Sequence, residues 1–456
     1  MHIVIVGGGA IGKELASNLV SKKQTVAVVE KDPRRISELE ENPDVLVIHG
    51  NGADIATLER ARIGSAQMLI AVTTTDEVNM IACMVAKRKG VPITVARTQD
   101  PEHAENEDSR GLTREQIGID FVISPERAVA QEIVKMIFFP DAEEIEYFAE
   151  GKVMMVRLSV TEESEIADRT LKDLQVDSGF IVAGIKRSNG DFVIPGGEDQ
   201  ISKGDKVYLI GSGKVVQQTS WLLPHGATRV HKVLILGGGK IGQYLASLLE
   251  SNREHSYLAK IIEKDADRCE ELNRVLSKTI VLQGDDTDCS FFNREEVAEA
   301  DVLVTVTGDD RTNIVASVMG QKLGVKKIIS EVNDIAYRPV YATASVDNAI
   351  SPHLITAAQI LRLTRSEDLV SLSILKNEEA ETMELVLPAS APVAGKKVAD
   401  VRFPNGMLIG TVVRDGEVII PHGGTTLQQG DHLIVFALPK VSNRLDRFFA
   451  GQEEDA

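Results

Sequence analysis

Two glycine loops hold the residues in this chain best suited to chemistry. Gly7-Gly8-Gly9-Ala10-Ile11-Gly12 has G-x-G-x-x-G spacing and recurs as Gly237-Gly238-Gly239-Lys240-Ile241-Gly242. Each loop follows an apolar run and opens a segment of helical periodicity, as with Ile11, Leu15 and Leu19. In that setting the first glycine permits a tight turn, the second lets the backbone approach a pyrophosphate, and the third lets a helix pack closely on a sheet. The helix N-terminus then offers free N–H groups and partial positive charge to phosphates. Glu30 and its counterpart Glu263 end the next apolar run of each copy. A carboxylate there accepts hydrogen bonds from ribose hydroxyls and disfavours a 2′-phosphate, so NAD(H) is the expected ligand. Lys31, Arg34 and Arg35 lie close enough to soften that preference.

Further residues fall where a parallel sheet would aim them at the same crevice. Asn51 and Asp54 follow the third apolar run; Thr73, Thr74 and Asp76 follow the fourth; Asn79 opens the next helix. Arg97 ends the fifth run and supplies a planar fork for phosphate. Asp54, Asp76 and Asn79 also suit helix caps, which alone would explain them. The second copy offers Asp285, Asp288, Thr307 and Asn313, but Glu331 stands where the first copy has Arg97. A carboxylate in that place weakens polyphosphate binding, so the second site is expected to be the poorer one.

The elements that must position these residues come in two copies. Val4–Val6, Thr25–Val29, Val45–Ile48, Met68–Val72 and Ile93–Ala96 read as short buried strands, with amphipathic helices between them. That alternation implies a parallel, doubly wound sheet. After helices near 128–139 and 354–363, the pattern turns to short strands broken by Gly, Pro and Gly-Asp turns. Gly204-Asp205 and Gly430-Asp431 mark equivalent turns. The expected fold class is α/β, with two Rossmann-like doubly wound domains, each followed by a small α+β domain. Boundaries are expected at 1–139, 140–226, 227–365 and 366–456. The Met136-Ile137-Phe138-Phe139 cluster suits either a subunit contact or the core of one subunit.

Composition narrows the function. With 456 residues and 43% apolar content the chain builds several cores, and its net charge of −18 argues against nucleic acid as a partner. No stretch approaches the roughly 20 apolar residues a spanning helix needs. No secretory signal is read at the N-terminus. Cys83, Cys269 and Cys289 are sparse and not in CxxC spacing, which favours a reducing cytoplasm and no metal site.

Catalysis finds no obvious machinery. None of the six tyrosines has a lysine four residues on, and the nine histidines are scattered. His353 and His422 read as solvated surface side chains. The expectation is no enzyme, with an NAD-dependent oxidoreductase as the alternative.

The whole pattern resembles the TrkA family, the peripheral regulatory subunits of bacterial Trk potassium uptake systems. The resemblance rests on the first glycine loop, Glu30-Lys31-Asp32, Gly50-Asn51-Gly52-Ala53-Asp54, Thr74 to Asn79 and Ala96-Arg97, together with the Gly-Asp turns of the small domains. It implies RCK (regulator of potassium conductance) domains in a cytoplasmic ring beneath an integral membrane potassium channel subunit of the TrkH/TrkG type. A ring of eight such domains, two per chain, implies a homotetramer. It also implies NAD(H), or alternatively ATP or ADP, bound by Gly7, Gly9, Gly12, Glu30, Asp54, Thr74 and Arg97.

Overall fold

A computed structural model describes the chain apart from residues 100–113, 139–141, 163, 175–178, 214–229, 253–256, 286–296, 344–345, 347, 364–368, 375–379, 439, 442–444, 446–447 and 450–456. Asp288, Cys289 and Phe139 therefore lie outside the described residues. The chain divides into two compact units. One comprises residues 1–137 and 230–364, the other 138–229 and 365–456.

Apolar runs with no polar alternation form strands buried on both faces. In the first copy these are β1 (His2–Val6), β2 (Thr25–Glu30), β3 (Val45–His49), β4 (Met68–Ala71), β5 (Ile93–Arg97) and β6 (Phe121–Ile123). They pair in parallel in the order β3-β2-β1-β4-β5-β6. Helices α1 (Ala10–Ser21), α2 (Pro33–Leu39), α3 (Ile55–Arg60), α4 (Asp76–Arg88), α5 (Arg114–Ile117) and α6 (Pro125–Phe138) connect or follow them. The sixth strand was not anticipated, being only three residues long. Helix α6 starts three residues before the expected Ala128, since proline is preorganised for a first helical turn.

A small antiparallel sheet follows, built from β7 (Ala142–Phe148), β8 (Val153–Ser159), β9 (Phe180–Lys186), β10 (Phe192–Val193) and β11 (Lys206–Ser212) in the order β10-β9-β11-β8-β7. The second copy repeats both parts. Its parallel sheet is β14-β13-β12-β15-β16-β17, from β12 (Lys232–Leu236), β13 (Leu258–Glu263), β14 (Ile280–Gln283), β15 (Val302–Thr305), β16 (Lys327–Glu331) and β17 (Asn348–Ile350). Its helices are α7 (Lys240–Ser251), α8 (Ala266–Val275), α9 (Asp310–Lys322), α10 (Arg338–Thr343) and α11 (Pro352–Leu363). Its small sheet is β18-β19-β22-β20-β21, from β18 (Leu369–Ile374), β19 (Glu381–Val386), β20 (Met407–Arg414), β21 (Glu417–Ile419) and β22 (His432–Ala437).

In the first unit the two parallel-sheet lobes share a core. Leu15 and Leu19 of α1 join Ile3 and Ile5 of β1, and Ala357 and Ile360 of α11 complete the same cluster. The second lobe's last helix thus covers the first lobe's sheet. Full burial of a side chain such as Leu15 or Ile360 contributes about 1.5–3 kcal/mol, so this exchange is a large part of what joins the lobes.

In the second unit the two small sheets share the cluster of Phe148, Met155, Tyr208 and Ile210 with Ile434 and Phe436. Tyr208 and Phe436 lie 5.7 Å apart in a tilted pair. The Gly-Asp turns are built from Gly204 at φ +83° and Gly430 at φ +82°. Asp205 and Asp431 are buried and bind Arg187 at 2.8 Å and Arg414 at 2.7 and 2.8 Å.

Candidate functional site

In the first lobe, β1 and β4 are adjacent, yet the chain leaves β1 toward β2 and returns to β4 on the other side. A crevice opens at the carboxyl ends of strands where the order reverses, and ligands of open α/β sheets bind there. A cavity of about 270 Å³ occupies that place. Of the residues singled out by the sequence, Gly7, Gly9, Ala10, Ile11, Glu30, Asn51, Thr73, Thr74 and Arg97 line it. Gly50, Lys31, Arg35 and His353 line it too.

The loop has the shape its glycines were expected to give. Gly7 adopts φ +107°, a region that L side chains rarely enter. A Cβ on Gly12 would lie 1.9 Å from the Gly7 carbonyl oxygen, so α1 can approach the strand only because Gly12 has none. Gly9 caps α1 without any side-chain hydrogen bond, leaving the first N–H groups of the helix open to the cavity.

Glu30 is tied into this loop. Its Oε2 accepts from Gly8 N–H at 2.6 Å, and its Oε1 accepts from Lys31 N–H at 2.7 Å and Asp32 N–H at 2.9 Å. Nearly buried at 5% exposure, it braces the glycine turn as well as facing the cavity. Gly8 packs beside it rather than lining the space.

The other polar residues divide into lining and supporting groups. Asp54 caps α3, accepting from Ala56 N–H, Thr57 N–H and the Thr57 hydroxyl. Its carboxyl is held below its ordinary value chiefly by the Thr57 hydroxyl. Asp76 accepts from the Thr98 hydroxyl at 2.9 Å and from Gln99 N–H. Asn79 is fully buried, accepts from Thr73 N–H at 3.0 Å and donates to the carbonyls of Thr73 and Arg97. These three therefore stand behind the crevice: Asp54 fixes the turn after β3, and Asp76 and Asn79 fix the loops after β4 and β5.

The second glycine loop repeats the geometry. Gly237 has φ +105°, Gly242 approaches the Gly237 carbonyl as Gly12 does Gly7, and Gly238 N–H donates to Glu263 at 2.8 Å. Thr307 N–H donates to Asn313, whose amide donates to the Glu331 carbonyl. Ile241 is buried in α7, while Lys240 and Asp285 are exposed. A residue the sequence reading passed over changes this loop. Arg268 donates from Nε to the Gly238 carbonyl at 2.8 Å and from Nη2 to Gln243 at 2.7 Å, with its Nη1 on Glu271 at 2.7 Å. Its counterpart Arg35 is half exposed and sits 3.9 Å from Glu30. The signal was present in the sequence as an arginine five residues after the acid in each copy, Glu30 and Glu263.

The two lobes meet around Arg97 and Glu331. Arg97 Nη2 pairs with Glu126 of α6 at 3.3 Å. Burial pushes the Glu331 carboxyl up to about 7; Asp310 and Glu126 add to the push, against hydrogen bonds from Asn333 and Gly308. His353 is not the surface residue expected. It is half-buried at the start of α11, because that helix packs on the first lobe. Burial and Arg97 hold its imidazole below the ordinary value, while Asp310 acts in the opposite sense.

Sequence comparison matches the TrkA-N domain to residues 3–125 and 233–352, and the TrkA-C domain to residues 155–222 and 382–450. The chain belongs to the TrkA family. Trk system potassium uptake protein TrkA homolog 1 of Methanosarcina mazei is 33% identical over 456 residues, covering 98% of this chain and 100% of that protein. Among solved structures, the GsuK RCK domain superposes with a TM-score of 0.62 at 20% identity, over 99% of this chain and 95% of that one. The GsuK channel bound to NAD gives the same score and identity over 99% of this chain and 79% of that one. These likenesses establish a fold shared with RCK domains. Among the described residues, no helix of this TrkA-family chain is long and apolar enough to cross a membrane.

Proposed function

We propose that this chain is the nucleotide-sensing regulatory subunit of a potassium uptake system, taking NAD(H), ATP or ADP into the first-lobe cavity and passing its occupancy to an integral membrane partner. The observation that carries this reading is the cavity itself. One space is lined by an uncapped helix N-terminus, a glycine loop, the acidic Glu30 and the cationic Arg97. Phosphate is favoured by the first and last of these, and ribose by Glu30. The family's name for its members and the NAD-bound GsuK channel support the same ligand class and role.

In this reading Gly7, Gly9, Ala10 and Ile11 cradle the phosphates, Glu30 and Asn51 face the nucleoside, and Thr73, Thr74 and Arg97 close the far side. Gly8, Gly12, Asp54, Asp76 and Asn79 hold those groups in place. The second loop, with Gly237, Gly239, Lys240, Ile241, Gly242, Glu263, Asp285 and Thr307, is the weaker site, since Arg268 bonds its loop carbonyl and Glu331 replaces Arg97. The chain works as a homotetramer on the inner face of the membrane, with no chemical step. A ligand shifts such an assembly only by binding one conformation better than another, and each tenfold preference is worth about 1.4 kcal/mol per site.

The test is isothermal titration of NADH, NAD, ATP and ADP into the wild-type chain and Gly9→Asp. Micromolar binding that disappears in the variant supports the reading and ranks the ligands. A well-folded wild type that binds none of the four overturns it.

A further inference from the structure

The first-lobe cavity is not built from the first lobe alone. His353, the second residue of α11, lines it beside Arg97 although it belongs to the second copy. Ser351-Pro352-His353 repeats Ser124-Pro125-Glu126, so His353 is the counterpart of the residue that already pairs with Arg97. The two equivalent positions thus carry inverted chemistry in the two lobes. Arg97 and Glu126 stand in the first, Glu331 and His353 in the second.

Four buried atoms of this group find no hydrogen-bond partner among the described residues: Arg97 Nε, Glu126 Oε2, Glu331 Oε2 and His353 Nδ1. Buried polar atoms are nearly always paired, and an unpaired one is costly to the fold. Two of the four belong to residues that line the cavity, Arg97 and His353, and their nitrogens suit an anionic group there; the two carboxylate oxygens stand behind them and do not. The position of the junction says which part of a ligand arrives there. Glu30 ends β2 and Arg97 ends β5, three strand spacings apart, or roughly 14 Å along the sheet edge. A nucleotide with its ribose at Glu30 and its phosphates on the glycine loop extends toward Arg97.

We propose that His353 is a ligand-contacting residue of the first-lobe site, receiving with Arg97 a phosphate group on the side of the ligand away from Glu30, so that the second lobe reads the occupancy of the first. This rests on the nucleotide-binding reading of that cavity and adds to it a residue from the other lobe. Arg97 supplies a permanent charge and His353 a conditional one. The charged groups acting on His353 are Arg97 from β5 and Asp310 from α9; Asp310 and Glu126 from α6 act in turn on Glu331 of β16. An added phosphate tips that balance toward the imidazolium, so binding takes up a proton near the imidazole's titration range.

Titrations of ATP and NADH into wild type, His353→Ala and His353→Gln test the contact. About tenfold weaker binding is expected for His353→Ala, with part of the loss restored by glutamine, whose amide still donates. Loss for both ligands puts His353 on the shared diphosphate; loss for ATP alone puts it on the terminal phosphate. Proton uptake on ATP binding, from heats at pH 6.5 in two buffers of different ionisation enthalpy, separates contact from packing. In a Glu331→Gln background, where that carboxyl cannot contribute, adding His353→Gln should lower uptake by a few tenths of a proton. Wild-type affinity in His353→Ala, or unchanged uptake in the double variant, overturns the proposal while the Gly9→Asp result leaves the site itself standing. Absence of binding to the wild type overturns both.

Discussion

Arg97 and Glu331 occupy the same place in two copies of one sheet, the last residues of β5 and β16, a base in the first and an acid in the second. The guanidinium is 15% exposed and rests on Glu126; the Glu331 carboxyl is 5% exposed, with one oxygen unpartnered. Duplication has therefore kept the frame and inverted one wall of the crevice. On the proposed reading, a pair of sites with equal chemistry would respond to one ligand twice, whereas this pair would favour the first.

The raised Glu331 carboxyl makes stability depend on pH. In the folded chain it titrates near 7, against an ordinary value of 4.5. Between those values the folded form holds a proton that the unfolded form has lost, so stability falls as pH rises through the window and levels off above it. At 1.36 kcal/mol per unit, the full effect is at most about 3 kcal/mol. Glu331→Gln removes it. Urea unfolding at pH 5 and pH 8 should show a flatter profile for the variant, with its largest relative gain at pH 8. Parallel profiles would remove Glu331 as the cause.

The glycine loop separates binding from folding. Around Gly9 a Cβ meets nothing closer than Arg35 Nη1 at 3.6 Å, whereas on Gly12 it collides with the backbone of Gly7. Gly9→Asp should therefore keep its melting temperature close to wild type and lose nucleotide binding by charge and bulk. Gly12→Ala should lose about 1–3 kcal/mol of stability, the range for forced overpacking. Thermal melts beside titration calorimetry distinguish the two; equal destabilisation by both would contradict the loop geometry.

Much of this was legible in the sequence because it is local. A glycine at fixed spacing after a buried strand constrains its own backbone, and Glu30 ends the strand that must lie next to it. What was not legible depends on which distant segment arrives. His353 looks like a solvated histidine until α11 packs on the first lobe. Arg268 and Arg35 each follow the acid of their copy by five residues, yet only the first bonds its loop carbonyl. Asp54 is compatible with ligand or cap by type, and the Thr57 hydroxyl and N–H show the cap.

The Gly-Asp turns of the small lobes make a prediction about stability alone. Asp431 is 1% exposed and accepts from Gln428 N–H as well as from Arg414 through Nε and Nη2. Removing the arginine leaves a buried carboxylate without its cation, at a cost of about 3–5 kcal/mol. Arg414→Met should unfold at markedly lower urea concentration. The double variant Arg414→Met/Asp431→Asn should recover part of the loss, because no uncompensated charge remains. A double variant no better than the single one would point to packing rather than charge.

The exchange of α11 between lobes should appear as energetic coupling. Leu15 and Ile360 are both fully buried and belong to one cluster, though 345 positions apart in sequence. Either substitution to alanine should cost about 2–5 kcal/mol through lost burial and a residual cavity. Side chains that share a cavity do not add independently, and their interaction energies run to about 0.5–3 kcal/mol. The cycle of Leu15→Ala, Ile360→Ala and the double variant, measured by urea unfolding, should give a total smaller than the sum of the singles. Strict additivity would place the two residues in separate cores. Because His353 is the second residue of α11, a loosened helix should weaken nucleotide binding in the first lobe, and Ile360→Ala should do so without touching the cavity.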